Sequence, residues 1–145
     1  MIRINTFNKN GIKSFIKANY PLNEERKKIV QVSVWELEEF FSTENKEEWL
    51  VVEYLGNDKE IKNNLSLLSI NVMLKYFIEV TLPKDYTLED ALKIPMIIKE
   101  RNIYDGAENI FCMSEDVRLQ QGEIGIRLIM PRYTYADMWS KEYSF

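Results

Sequence analysis

Short apolar runs, separated by chain-breaking residues, constrain the fold of this chain more than any other feature of its sequence. Four such runs stand out, and a glycine or a proline directly follows three of them. Runs this short that are rich in β-branched and aromatic residues are typical of β-strands. They predict strands over residues 49–55, 76–82, 110–113 and 124–130. The side chains expected to be buried in the sheet are Trp49, Val51, Tyr76, Ile78, Ile110, Phe111, Ile126 and Leu128.

Stretches with helical character lie between the predicted strands. Apolar side chains in residues 9–19 repeat at the spacing of one helical face. Ser33 stands three residues before Glu36, which is the spacing of a capping box, and predicts a helix over residues 34–42. The remaining expected elements are short strands near residues 2–7 and 29–32, a helix that begins at Thr87 and ends or restarts at Pro95, and a last helix capped by Thr134 and Asp137.

The order of these elements predicts the fold class. A chain of 145 residues fits one domain, and no linker rich in glycine, proline or serine divides it. Strands and short helices alternate irregularly, so we expect a single α+β domain over residues 1–145 rather than a doubly wound sheet. Its sheet should be mixed or antiparallel with about five strands, and its short helices should pack mainly on one face. Residues 58–74 fit either a helix or a strand.

The sequence contains no histidine and one cysteine, and these two counts limit its chemistry. Without histidine, the chain cannot form a Ser-His-Asp or Cys-His catalytic arrangement, or the zinc sites that use histidine. Cys112 lies in an apolar run that precedes acidic residues, so we expect a buried and unreactive thiol. Residues 122–125 contain two glycines but lack the lysine and the following helix of a phosphate-binding loop. We therefore expect no catalytic residue, no metal site and no cofactor.

Charge is distributed unevenly along the chain. The net charge is −4, which disfavours a general nucleic-acid binder. Residues 1–30 hold seven basic and two acidic side chains, whereas residues 31–60 hold two basic and nine acidic ones. This acidic block predicts a docking surface for a basic partner protein, and an ordinary solvated face is the alternative interpretation. The candidate residues are Glu36, Glu38, Glu39, Glu44, Glu47 and Glu48.

A second candidate surface is an aromatic stripe near the end of the sequence. Tyr135, Trp139 and Tyr143 recur every four residues, so they share one face of a helix. Tryptophan and tyrosine are enriched at the binding hot spots of protein interfaces. The stripe either packs on the core of its own domain or contacts a partner, which includes a second copy of the chain.

These features together favour a binding protein over an enzyme. We expect a small acidic cytosolic protein that binds and neutralises another protein, as immunity proteins, antitoxins and phage-type inhibitors do, for example by covering the basic active site of a nuclease. One alternative is a structural or regulatory subunit that assembles through its aromatic stripe. Another is a small enzyme that uses carboxylates as acid and base. No apolar run is long enough for a membrane span or a signal peptide, and a single cysteine fits a reducing compartment, so the expected location is the cytoplasm.

Overall fold

Six strands form one open sheet in the computed structural model, which describes residues 1–20, 27–66, 68 and 70–142. The order across the sheet is β1-β3-β6-β4-β5-β2 when the strands are numbered along the chain. β4 and β5 are parallel, and the other adjacent pairs are antiparallel. The sheet is therefore mixed, and the predicted α+β class is confirmed. The strands are β1 (Ile2–Asn8), β2 (Lys27–Val30), β3 (Glu48–Asn57), β4 (Lys75–Leu82), β5 (Glu108–Glu115) and β6 (Glu123–Pro131).

Five α-helices complete the described part of the chain. They are α1 (Lys9–Asn19), α2 (Val34–Phe40), α3 (Ile61–Leu65), α4 (Leu88–Arg101) and α5 (Tyr135–Glu142). The predicted capping box begins α2, where the Ser33 Oγ accepts a hydrogen bond of 3.1 Å from the backbone N–H of Glu36. Thr87 caps α4 in the same way, because its hydroxyl accepts from the backbone N–H of Asp90.

Helices cover both faces of the sheet. On one face, α3 and α4 bury side chains such as Ile61 and Ile94 against the strands. On the other face, α1 and α2 do the same with Ile16 and Leu37. This corrects the expectation that the helices pack mainly on one face. The central strands are apolar on both sides, as residues 49–52 illustrate, so each side of the sheet needs a cover.

The lateral position of a strand decides how far its side chains are buried. Six of the eight side chains expected in the sheet core are 4% exposed or less. The other two, Ile110 and Phe111, are only partly buried. β2 pairs with β5 only between Met113 and Glu115, so the first half of β5 has no strand beside it on that side within the described residues. The predicted strand is therefore confirmed at these two positions, but they are less deeply buried than the other six.

Packing also overrides one predicted helix boundary. The sequence predicts that the helix ends or restarts at Pro95, but α4 continues through it. Ala91, Ile94 and Ile98 are buried against the sheet on both sides of this proline, and their packing outweighs the hydrogen bond that proline cannot donate. The ambiguous segment begins with a 3-10 turn at Asp58–Glu60 that leads into α3. No helix in the described part of the chain has both the length and the apolar character needed to cross a membrane.

Candidate functional site

A row of four charged side chains crosses one face of the sheet. Arg3 on β1 lies opposite Glu53 on β3. Arg127 on β6 lies between Glu53 and Glu79, the latter on β4. The Nη2 atoms of Arg3 and Arg127 are 2.8 Å and 3.1 Å from the two carboxylate oxygens of Glu53, and Arg127 Nη1 is 3.4 Å from Glu79 Oε1. The signs alternate along the row, so each charge has an opposite charge beside it.

Glu79 is the buried end of this row, with only 3% of its surface exposed. The hydroxyl of Tyr20 donates a hydrogen bond to its carboxylate, and Tyr20 is itself 2% exposed. Tyr20 is the C-cap residue of α1, so the end of that helix places the phenol over the sheet. The guanidinium of Arg127 lies over the ring of Phe15, 5.2 Å from its centroid. Two aromatic residues of the α1 segment thus hold the central charges in place.

Burial and charge shift the pKa values of three groups in this cluster. Burial, and after it the charge of Glu79, raises the pKa of Tyr20, so the phenol stays protonated and acts as a donor. Partial burial works to raise the pKa of Glu53, but Arg3 and Arg127 outweigh it and hold that pKa below its usual value. Burial disfavours the charged form of Arg127, yet Tyr20, Glu79 and Glu53 together raise its pKa. Glu53 and Arg127 therefore both remain charged at neutral pH.

A cavity of about 410 Å³ lies beside the charged row. Thr81 and Gly125 are paired across β4 and β6, and their small size leaves space above the sheet. Leu55 and Leu119 add apolar lining, and Asp116 adds a carboxylate. The volume falls within the range of roughly 300–1,000 Å³ that is usual for small-molecule sites. Among the described residues, no three His, Cys, Asp or Glu side chains cluster closely enough to hold a metal ion.

The charged row is absent from the sequence predictions, although the sequence carries a signal for it. Glu53, Glu79 and Arg127 each interrupt a predicted apolar strand near its middle. A charged side chain in a buried strand is normally paired, because an isolated charge in that environment is costly. The sequence can therefore indicate that these charges need partners, but only the strand register identifies the partners.

Replacement of Glu53 by glutamine should lower the free energy of unfolding by about 1–2 kcal/mol at pH 7, since hydrogen bonds to a charged group are lost. Because its pKa is lower in the folded chain, the Glu53 carboxylate stabilises the fold above its usual pKa of 4.5, and this contribution disappears as the pH falls through the folded-state value. The difference between wild type and Glu53→Gln should thus shrink as the pH falls below 4.5 in chemical denaturation experiments. An equal difference at pH 3 and pH 7 would contradict this account.

Three carboxylates of the acidic block project into solvent. Glu38 and Glu39 are exposed on α2, because Leu37 and Phe41 turn the opposite side of this segment toward the core and are 0% and 7% exposed. Glu47, just before β3, is exposed as well. Binding of a partner by these side chains stays a prediction.

The other three carboxylates of the block have neighbours within the chain or less exposure. Glu36 is exposed, but its Oε1 is 3.2 Å from the hydroxyl of Ser33 in the capping box of α2. Glu48 forms an ion pair of 2.7 Å with Arg132, and Glu44 is partly buried. The acidic block is therefore not a uniform surface, and α2 carries its most accessible part.

α2 also presents a tryptophan that the sequence analysis does not single out. The side chain of Trp35 is 70% exposed. Glu38 and Glu39 follow it by three and four positions, the spacing at which side chains are neighbours on a helix surface. The helix therefore displays one large aromatic ring beside two carboxylates. The helical spacing of Val34, Leu37 and Phe41 could have located Trp35, because Trp35 lies outside that apolar pattern.

A groove of about 370 Å³ lies between α1 and α2. Lys9, Lys13 and Lys17 line it from α1, and Glu38 lines it from α2. The basic segment at the start of the sequence and the acidic block that follows it are thus placed side by side. This arrangement gives one surface of the protein two adjoining regions of opposite charge.

The aromatic stripe is half-exposed. Tyr135 and Trp139 on α5 have 54% and 52% of their surfaces exposed, whereas Tyr143 lies outside the described residues. An ion pair between Lys46 and Asp137 attaches α5 to the segment before β3. The two rings are therefore not fully packed into the core of the domain, and their use as a binding surface stays a prediction.

Comparison with known proteins gives a partial likeness of fold. No protein-family model and no curated protein matches the sequence. Among solved structures, an empty FtsZ dimer from M. jannaschii is similar, with a TM-score of 0.53 and 21% sequence identity over 72% of this chain. A mutant of FtsZ from the same organism gives a TM-score of 0.41 and 22% identity over 55% of this chain. This chain spans about a third of the length of the FtsZ chains that it matches, since the shares are 32% and 27%. The empty FtsZ dimer thus shows a similarity of fold over the matched part.

Proposed function

We propose that this chain binds a basic partner protein through α2 and neutralises it, without catalysing a reaction itself. The observation that carries the proposal is Trp35, which is 70% exposed beside the exposed carboxylates of Glu38 and Glu39. These three residues are called the α2 surface below. Immunity proteins, antitoxins and phage-type inhibitors are the classes that fit such an activity. The basic active site of a nuclease is a target of matching charge.

An exposed tryptophan next to carboxylates has the composition of a binding hot spot for a basic partner. The indole of Trp35 offers a large apolar area and loses little conformational entropy on binding. Glu38 and Glu39 attract a basic partner over a distance and mainly raise the rate of association. The buried side chains of Leu37 and Phe41 hold the helix in place, so little ordering has to accompany binding.

The neighbouring helix restricts which partners fit. Lys9, Lys13 and Lys17 on α1 border the groove beside the α2 surface. A uniformly basic partner would be attracted by α2 but repelled by α1. The best partner has a basic patch opposite α2 and a neutral or acidic patch opposite α1. Glu38 and Glu39 disfavour nucleic acid at this surface, because they repel its phosphates while the lysines of α1 attract them.

The cytoplasm is the proposed place of action. Cys112 is the single cysteine of the chain, and its side chain is buried with 0% exposure. A thiol in that position contributes packing and does not need an oxidising environment.

Replacement of Trp35 by alanine should weaken the complex about 30-fold, since hot-spot residues contribute about 2 kcal/mol or more. The tagged protein can capture its partner from a lysate, and surface plasmon resonance of the purified pair then gives both rate constants. Trp35→Ala should mainly raise the dissociation rate. A Glu38→Lys and Glu39→Lys double variant should instead lower the association rate, and rising salt should slow association of wild type more than that of this variant.

Two matched variants serve as controls for that experiment. Trp139→Ala removes an exposed tryptophan from a different helix, and Glu60→Lys with Asp105→Lys reverses two exposed charges that lie outside α1 and α2. Both controls should bind like wild type. All these positions are exposed, so circular dichroism should show an unchanged fold. A partner that binds Trp35→Ala and the double charge variant with wild-type rates would rule out the α2 surface.

A second candidate function is assembly as a structural or regulatory subunit through α5. The half-exposed rings of Tyr135 and Trp139 favour it, because they lie four positions apart on the helix and form one contact surface. In that case Trp139→Ala should abolish the complex and Trp35→Ala should leave it intact. The same pair of variants therefore separates the two functions.

A further inference from the structure

The outer side of α4 carries an apolar stripe. Leu88, Leu92 and Met96 follow one another at four-residue intervals and are 56%, 50% and 58% exposed. Side chains at this spacing form a continuous ridge along a helix, here about 12 Å long. The opposite side of α4 is already buried on the sheet through Ala91 and Ile98. Three large apolar side chains in one row form a contiguous patch, which points to a contact surface.

Charge at the two ends of α4 identifies the partner that fits this stripe. Glu89 and Asp90 make the first turn acidic, and Asp90 is already paired with Lys93. Lys99 and Arg101 in the last turn outnumber the exposed Glu100, so that turn is basic. A second α4 in antiparallel orientation brings the acidic turn of each helix toward the basic turn of the other. The helix dipoles then oppose each other as well. The stripe is therefore complementary to itself, which is the property of a two-fold symmetric interface.

We propose that α4 forms the contact of a two-fold symmetric dimer of this chain, with the symmetry axis passing near Leu92. Leu92 is the middle member of the stripe, so the two copies of Leu92 face each other. Leu88 of each copy then lies opposite Met96 of the other copy. α4 and α2 cover opposite faces of the sheet, so this dimer leaves the α2 surface accessible.

The size of the stripe sets the expected strength of this dimer. A standard protein interface buries about 1,600 Å² in total, and three half-exposed side chains from each copy cover only part of such an area. The dimer should therefore be weak and reversible, with a dissociation constant on the order of 10 μM to 1 mM. Sedimentation velocity should show a rise in average mass over this concentration range. Leu92→Glu, which places two like charges at the axis, should weaken the dimer about tenfold or more.

Disulfide trapping tests the position of the axis. Cys112 is buried, so a cysteine introduced on α4 is the exposed thiol of each variant. Leu92→Cys should form a cross-linked dimer at least about tenfold faster than Leu88→Cys or Met96→Cys. In an antiparallel pair, residues 88 of the two copies lie about 12 Å apart along the helices, beyond the reach of a disulfide. Trp35→Cys, an exposed position on another helix, measures the background rate of random collision.

Each outcome of these experiments decides for or against the dimer. Preferential cross-linking of Leu92→Cys, with loss of self-association in Leu92→Glu, supports it. Equal cross-linking at residues 88, 92 and 96 indicates a parallel or random contact and overturns the antiparallel arrangement. A wild-type chain that stays monomeric up to about 1 mM overturns the dimer itself. Circular dichroism checks that Leu92→Glu is folded, and the cysteine variants provide a test that does not depend on that substitution.

Discussion

Replacement of Phe77 by alanine should lower the free energy of unfolding by about 3–5 kcal/mol, the range observed when large aromatic side chains are removed from a core. Phe77 lies on the central strand β4 and is 0% exposed. Its ring meets the ring of Tyr20 edge to face, with centroids 5.2 Å apart. The substitution therefore removes buried area under α1 and leaves a cavity in the middle of the sheet. Urea denaturation should show a lower midpoint with an unchanged slope.

Phe111→Ala is the matched control for this prediction. Phe111 lies on the neighbouring strand β5 but is only partly buried, so its removal should cost clearly less than the removal of Phe77. Equal losses for the two variants would mean that the first half of β5 is covered more fully than the structure indicates. The apolar pattern of residues 110–113 predicts Phe111 in the core, so this pair of variants also tests whether strand order or local pattern decides burial.

The strands could be predicted from the sequence because their signal is local. Residues 76–82 form a short, mainly apolar run that ends at a proline. A run of this length and composition is buried most readily as a strand. The lateral order of the strands is not local. Phe77 and Phe111 look alike in sequence, but one lies in the centre of the sheet and the other lies beyond the reach of β2. The burial of a strand residue depends on that order, and therefore it could not be derived from periodicity.

The candidate site shows the same division between local and long-range information. The acidic residues of α2 were predicted as a surface because the capping box and the apolar pattern define which side of that helix faces the core. The charged row joins residues up to 124 positions apart, Arg3 and Arg127, and depends on the pairing of four strands. In the sequence, this cluster is indicated only by charged residues in the middle of predicted apolar strands. Their grouping into one cluster required the register.

Replacement of Arg127 by methionine should destabilise the fold by about 3–5 kcal/mol, the usual cost of removing one partner from a buried ion pair. Methionine keeps the length and the apolar stem of the side chain, so the change tests the charge more than the packing. The substitution removes the guanidinium that lies between Glu53 and Glu79, and Glu79 is 3% exposed. A carboxylate this deeply buried depends on a neighbouring cation far more than an exposed one does.

Arg3→Met provides the matched control, because Arg3 contacts the same Glu53 while its own side chain is 63% exposed. Exposed ion pairs contribute about 0–1 kcal/mol, so this variant should remain close to wild type. Adding Glu79→Gln to Arg127→Met should recover part of the lost stability. The second substitution removes the buried carboxylate that Arg127 pairs with in the wild type. Chemical denaturation of the wild type, Arg127→Met, Glu79→Gln and the double variant gives the coupling between Arg127 and Glu79. If Arg127→Met costs no more than Arg3→Met, the charged row does not stabilise the sheet, and the side chains beside the cavity are retained for another reason.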